Sequence, residues 1–128
     1  MERLLNILLV AAGSAIGGSL RYLVSLWALP RGWKFPWATL IVNVAGCFLI
    51  ALILTIAAAA TMRPSTRLFL TTGIMGGLTT YSTFDYETTR LFQIGAPLSA
   101  IANIGATLVV CFLAGLLGIA LARQLIAD

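Results

Sequence analysis

The chain has 128 residues and a net charge of +4, with 60% hydrophobic residues and only 9% charged ones. A soluble domain carries about 25% charged residues, so this composition excludes an ordinary soluble fold and marks an integral membrane protein. The absence of histidine and the presence of only two cysteines exclude a zinc-type ligand cluster, and no nucleophile, general-base or cofactor motif supports an enzyme.

Four apolar segments, roughly 4–29, 37–60, 66–94 and 97–123, each reach the length of about 20 residues that a helix needs to cross a bilayer core of about 30 Å. The expected architecture is one all-α transmembrane domain over residues 1–128, four helices with the third broken near mid-membrane. The longest polar connection is Pro30–Pro36, so the function is expected within the membrane. The N-terminus imitates a signal peptide, with Arg3, an apolar run and small residues at Ala11-Ala12-Gly13. The apolar stretch continues to Leu29, beyond the 7–15 residues of a signal core, and is read as a retained helix.

The first helix carries Gly13, Gly17 and Gly18, a small-xxx-small pattern read as a seam for close helix approach. Arg21 lies deep in this segment. It is either a functional cation or a side chain that snorkels to a headgroup. Trp27, Trp33 and Trp37 flank the following loop and fit an interfacial aromatic belt. The second helix has no charge and one strongly polar residue, Asn43, with Thr39 one turn before it on the same face. An Asn in hydrocarbon needs partners; it either joins two helices or coordinates a permeant species.

The third segment contains Gly76-Gly77-Leu78-Thr79-Thr80-Tyr81-Ser82-Thr83-Phe84. Adjacent glycines and β-branched threonines are poor helix material. Lipid cannot satisfy the backbone groups that a break frees, so a break there must be satisfied by protein or by a water-filled cavity. Such breaks are where channels and transporters place ion sites. Glu87 and Arg90 follow at i, i+3 and can pair. The fourth helix starts at Pro97 and carries Asn103, Thr107 and Cys111 every four residues as a mildly polar stripe. Cys47 and Cys111 lie mid-helix and read as small buried hydrophobes rather than a disulfide or metal pair.

The charge distribution argues against nucleic acid as a partner. Arg3, Arg63, Arg67 and Arg123 fall on one side of the predicted helices, and Arg21, Arg31, Lys34 and Arg90 toward the other. Four against four leaves no positive-inside bias, which opens the possibility of dual insertion and an antiparallel homodimer. The alternative is that short loops carry too few charges for the count to decide.

The stretch Thr72-Gly73-Ile74-Met75-Gly76-Gly77-Leu78-Thr79-Thr80-Tyr81-Ser82-Thr83-Phe84, followed by Glu87, resembles the signature TG-x-x-GG-[LF]-[ST]-T-F-S-T-F-S-x-E of the CrcB/Fluc fluoride channels. Thr39-Leu40-Ile41-Val42-Asn43 resembles that family's G-T-L-x-x-N element, and Arg21 its first-helix arginine. The resemblance covers essentially the whole chain. It implies a passive fluoride channel of the bacterial plasma (inner) membrane, surrounded by lipid. It also implies a dual-topology antiparallel homodimer with two pores along the interface, and fluoride resistance as its physiological role. A structural sodium ion at the dimer centre would be held by carbonyls that fall on Gly76 and Thr79. The fluoride pathway would use the aromatic positions Tyr81 and Phe84, the polar positions Asn103 and Thr107 of the fourth helix, and Thr39, Asn43, Ser82, Thr83 and Arg21.

Three residues depart from the family pattern: Tyr81 where Phe is usual, Asp85 where Ser is usual, and Asn103 where Tyr is frequent. A different four-helix class, the small multidrug exporters of cationic compounds, needs a membrane-embedded carboxylate in the first helix. This helix has none after Glu2, and its buried charge is Arg21.

Overall fold

A computed structural model describes residues 1–59 and 62–127, and the described residues are helices joined by short turns. Helix α1 spans Glu2–Ala28, α2 Trp37–Ala59, α3 Pro64–Leu68, α4 Gly76–Leu78, α5 Tyr81–Gln93 and α6 Pro97–Ala127. A π-helical stretch, Phe69–Met75, joins α3 to α4. The predicted end of the second segment at residue 60 lies outside the described residues. Three uninterrupted spans, Glu2–Arg31, Trp37–Ala59 and Pro97–Ala127, are long and apolar enough to cross a membrane.

The third segment is interrupted, as its composition predicts, but at Thr79 and Thr80 rather than at the glycines. Thr79 (φ −80°, ψ 153°) and Thr80 (φ −152°, ψ 118°) are extended, whereas Gly76 and Gly77 are helical. The glycines serve packing. A Cβ on Gly77 would lie 2.6 Å from the Ser14 carbonyl oxygen, and one on Gly13 would lie 2.8 Å from the Gly73 Cα. Gly17 meets the Ile74 carbonyl and the Leu78 amide in the same way. The predicted seam of the first helix is therefore real, and its partner is the π-helical stretch with α4. Gly18 contributes only backbone, because a Cβ there would meet nothing within 4 Å. A seven-residue π-helical stretch (Phe69–Met75) widens the helix at this seam, and such insertions are frequent at functional sites. Nothing in the periodicity anticipates it.

The second layer is α2 packed against α6. On α6, Gly118 meets the Phe48 carbonyl and Ala51 of α2, and Gly115 approaches the Cys47 carbonyl; such small residues let helices approach when packing alone drives association. Val42, Met75 and Leu78 form the apolar core where α2 meets the third segment. Large apolar side chains such as Leu4, Ile7, Leu108, Phe112 and Leu117 point outward, an arrangement suited to lipid.

The connections have simple causes. Arg31 stacks 3.9 Å over the Trp27 ring and donates to the Trp27 carbonyl, so the loop after α1 folds back on its aromatic residues. Helix α5 ends in a Schellman motif. The Ala96 N–H donates to the Leu91 carbonyl and the Gly95 N–H to that of Phe92, with Gly95 at φ +77°. Pro97 then opens α6, as predicted.

Two adjacent, chemically identical residues should respond oppositely to a methyl group. Gly17→Ala is expected to destabilise the protein by about 1–3 kcal/mol through overpacking against backbone. Gly18→Ala should be neutral or stabilising by up to about 1 kcal/mol, the helix-propensity gain. Thermal unfolding of both variants in detergent checks this; equal shifts would refute the seam.

Candidate functional site

The break is held by one side chain. The Thr80 N–H donates to Asn43 Oδ1 at 2.8 Å, and Asn43 Nδ2 donates to the Thr80 carbonyl at 3.1 Å. Asn43 therefore clamps both backbone polar groups of one residue, and Asn43 and Thr80 are both buried. Of the two roles open on sequence, joining helices is the one this geometry displays. One N–H of the Asn43 amide is not used by the clamp.

Thr80 also starts the next helix. Its Oγ1 accepts from the Thr83 N–H at 3.2 Å and donates to Thr83 Oγ1 at 3.0 Å, an N-cap on α5. Ser82 Oγ lies 3.3 Å from the same hydroxyl. These bonds release carbonyls upstream. In a continuous helix the Thr80 N–H would bond the Gly76 carbonyl and the Thr83 N–H that of Thr79. Here they bond Asn43 and the Thr80 hydroxyl.

Two cavities meet at this point, and Thr80 lines both. The smaller, about 250 Å³, is lined by Arg21, Ser25, Thr39, Thr80 and Thr83 among others. Arg21 is half-buried there. The larger is an open, mainly apolar groove of about 1330 Å³. Asn43, Gly76, Thr79, Tyr81, Phe84 and Thr107 all lie on its walls. Thr79 sits over Gly46, where any Cβ would collide with its methyl group. Phe84 is 8% exposed and Tyr81 78% exposed, their ring centroids 5.6 Å apart. The buried ring forms part of the wall and the exposed ring overhangs it.

Two expected pathway residues line neither cavity. Ser82 is exposed on the first turn of α5 and touches the site through the Thr80 hydroxyl. Asn103 is 1% exposed, held between α5 and α6. Its Nδ2 donates to Thr88 Oγ1 at 2.8 Å, and Thr88 donates to the Phe84 carbonyl at 2.6 Å. The stripe Asn103–Thr107–Cys111 splits because a four-residue step turns about 400° on a helix of 3.6 residues per turn. Each step drifts about 40°, and only Thr107 and Cys111 reach the groove. Glu87 is half-buried beside Thr39, with Oε2 buried and unpartnered, so Arg90 does not satisfy it.

The sequence pattern names Thr80 only as part of the break and gives Thr88 no role. Thr80 had a signal, since a threonine three residues before Thr83 at a break is a helix N-cap pattern. Thr88 had none, because its role depends on a partner 15 residues away.

An all-helical chain with several membrane-length apolar helices and a polar, side-chain-clamped break is a multi-pass integral membrane protein. Residues 8–119 match the family described as CrcB-like protein, Camphor Resistance (CrcB), and the chain belongs to that family. It is 49% identical over 120 residues to the fluoride-specific ion channel FluC of Sorangium cellulosum, covering 92% of this chain and 94% of that protein. It is 46% identical over 128 residues to the protein of the same name from Pelobacter propionicus, covering 98% and 97%. The counterpart in Rhizobium meliloti is 45% identical over 123 residues, covering 94% and 98%.

Removing the clamp should cost stability out of proportion to its size. Asn43→Ala leaves a buried N–H and a buried carbonyl of Thr80 without their partner, at about 1–3 kcal/mol each. Thermal unfolding in detergent should show a larger loss than for Thr107→Ala, which lines the groove without a comparable bond. Equal losses would mean that the Thr80 backbone does not depend on Asn43.

Proposed function

We propose that this chain is a passive, fluoride-selective channel that lets fluoride leave the cell. The observation that carries the reading is the clamped break at Asn43 and Thr80, placed between a donor-lined cavity and an aromatic-lined groove in a chain whose relatives bear the name of fluoride-specific channels.

Fluoride is small and strongly hydrated, so a pore must offer donors in place of water while binding weakly enough to release the ion. Arg21 raises the local anion concentration at the mouth of the smaller cavity. The hydroxyls of Thr39 and Thr83 and the unused Asn43 N–H then replace water, while the Thr80 hydroxyl donates to Thr83 and holds it in place. Phe84 offers the positive edge of its ring and excludes water, and Tyr81 adds a hydroxyl beside it. Thr107 continues the polar wall along the groove. Asn103 acts at one remove: through Thr88 it holds the Phe84 backbone. Ser82 likewise supports the Thr80 hydroxyl.

The groove is closed by a second copy inserted in the opposite sense, giving an antiparallel homodimer with two pores along the interface. The unbiased cation count supports this, as does the breadth of the open apolar wall on a single chain. The Gly76 and Thr79 positions suit a sodium ion at the dimer centre. Both face the groove and both lose the helical donors to their carbonyls, and hard cations take oxygen ligands. The ion would make the interior electropositive. Cation export has nothing in its favour, because the only carboxylate of α1 is Glu2 in its exposed first turn.

Proteoliposomes loaded with fluoride should empty rapidly while retaining chloride. At matched dimer yield, Asn43→Asp and Phe84→Ile should each slow efflux severely. Aspartate replaces a donor by an acceptor, and isoleucine removes the ring edge. Tyr81→Phe should be mild. Efflux no faster than from protein-free vesicles would overturn the channel reading, and full conduction by both severe variants would overturn the pathway.

Dual insertion predicts that a single cysteine placed in the Pro30–Pro36 loop, with Cys47 and Cys111 replaced, is labelled from both membrane faces in cells. Labelling from one face only would refute it.

A further inference from the structure

The two cysteines are not the inert core residues that their mid-helix positions suggest. Both are free and half-buried, and both line the groove. They belong to two helices packed against each other, α2 and α6. Cys47 follows Asn43 by one turn, and Cys111 follows Thr107 by one turn. The backbones approach closely at this level: a Cβ on Gly115, one turn beyond Cys111, would lie 3.9 Å from the Cys47 carbonyl oxygen. Cys47 belongs to the immediate surroundings of the Cys111 thiol. Met75, another soft sulfur, lines the same groove.

Two neighbouring thiols on separate, tightly packed helices, opening onto a cavity, form a preorganised pair of soft ligands. Thiolate and thioether sulfur select soft d¹⁰ cations over hard ones, and thiolate rather than thiol is the ligand form. We propose that Cys47 and Cys111 together form a two-sulfur site for a soft cation of the Ag(I) or Hg(II) type in the groove wall. With Hg(II), two S–H bonds break, two S–Hg bonds form and two protons leave to solvent. No oxidant or reductant is needed. The site is separate from the fluoride reading, since it needs only the two thiols and their shared face.

The test uses the purified, reduced full chain in detergent, with Hg(II) as the probe. One ion per chain should remove both thiols from reaction with an aromatic disulfide reagent and release two protons. Cys47→Ser and Cys111→Ser keep side-chain size, and helicity by circular dichroism confirms their fold. Each should hold the ion roughly hundredfold more weakly against a competing monothiol, because the second sulfur supplies the effective concentration. Two ions per chain with independent thiol loss, or single variants that bind as the parent does, would overturn the proposal. The stoichiometry on the unsubstituted chain decides even where a variant fails to fold. Binding is read without transport, so a chain that binds Hg(II) but passes no fluoride would keep this site and lose the channel reading.

Discussion

The pairing of the Asn43 amide with the Thr80 peptide is the interaction on which the rest of the structure depends. A helix can be interrupted within an apolar protein only if the freed backbone groups find partners, since lipid offers none. One side chain meets both requirements, donating to the Thr80 carbonyl and accepting from its N–H. Its fixed position on α2 then sets where the third segment stops being helical. Thr80 restarts the helix by capping α5 through its hydroxyl. The geometry that places Phe84 against the groove, and that releases the Gly76 and Thr79 carbonyls, follows from those few bonds.

The clamp works because the helices around it are held close by small residues. Gly13 and Gly17 of α1 receive the backbone of the π-helical stretch and α4, and Gly115 and Gly118 on α6 receive α2. Without a solvent-driven hydrophobic force in lipid, such close backbone contact is what holds helices together. It also leaves few large side chains between the layers, and the space beside the break remains open as the groove. The proposed second copy would cover that groove. A polar pathway lined by one chain and closed by its twin fits a groove that one chain leaves open.

Much of the site was legible residue by residue. The break announced itself through glycine and β-branched residues in an apolar run, and Asn43 through being the one strongly polar group of its helix. Arg21 announced itself by charge at depth. Other assignments did not survive the fold. Gly76 and Gly77 look like the cause of the break, yet both are helical, and Gly77 is needed because α1 leaves no room for a Cβ there. Asn103 and Thr107 share a stripe on paper, but the drift of a four-residue step turns one into the interior and the other to the groove. The cysteines, which read as small buried hydrophobes rather than a disulfide or metal pair, are half-buried and share a cavity wall.

The sequence by itself determined the solvent, the helix count in outline and the position of the break to within a few residues. These depend on local chemistry: hydropathy over a membrane-length window, propensity, and the cost of charge in hydrocarbon. Tertiary structure alone decided that Asn43 is a clamp, that Thr80 is shared by two cavities, and that Asn103 reaches Phe84 through Thr88. Each of those is a contact between residues far apart in the chain. Hydrogen-bond partners at such separations are chosen by how helices cross, and a linear pattern carries no record of the crossing.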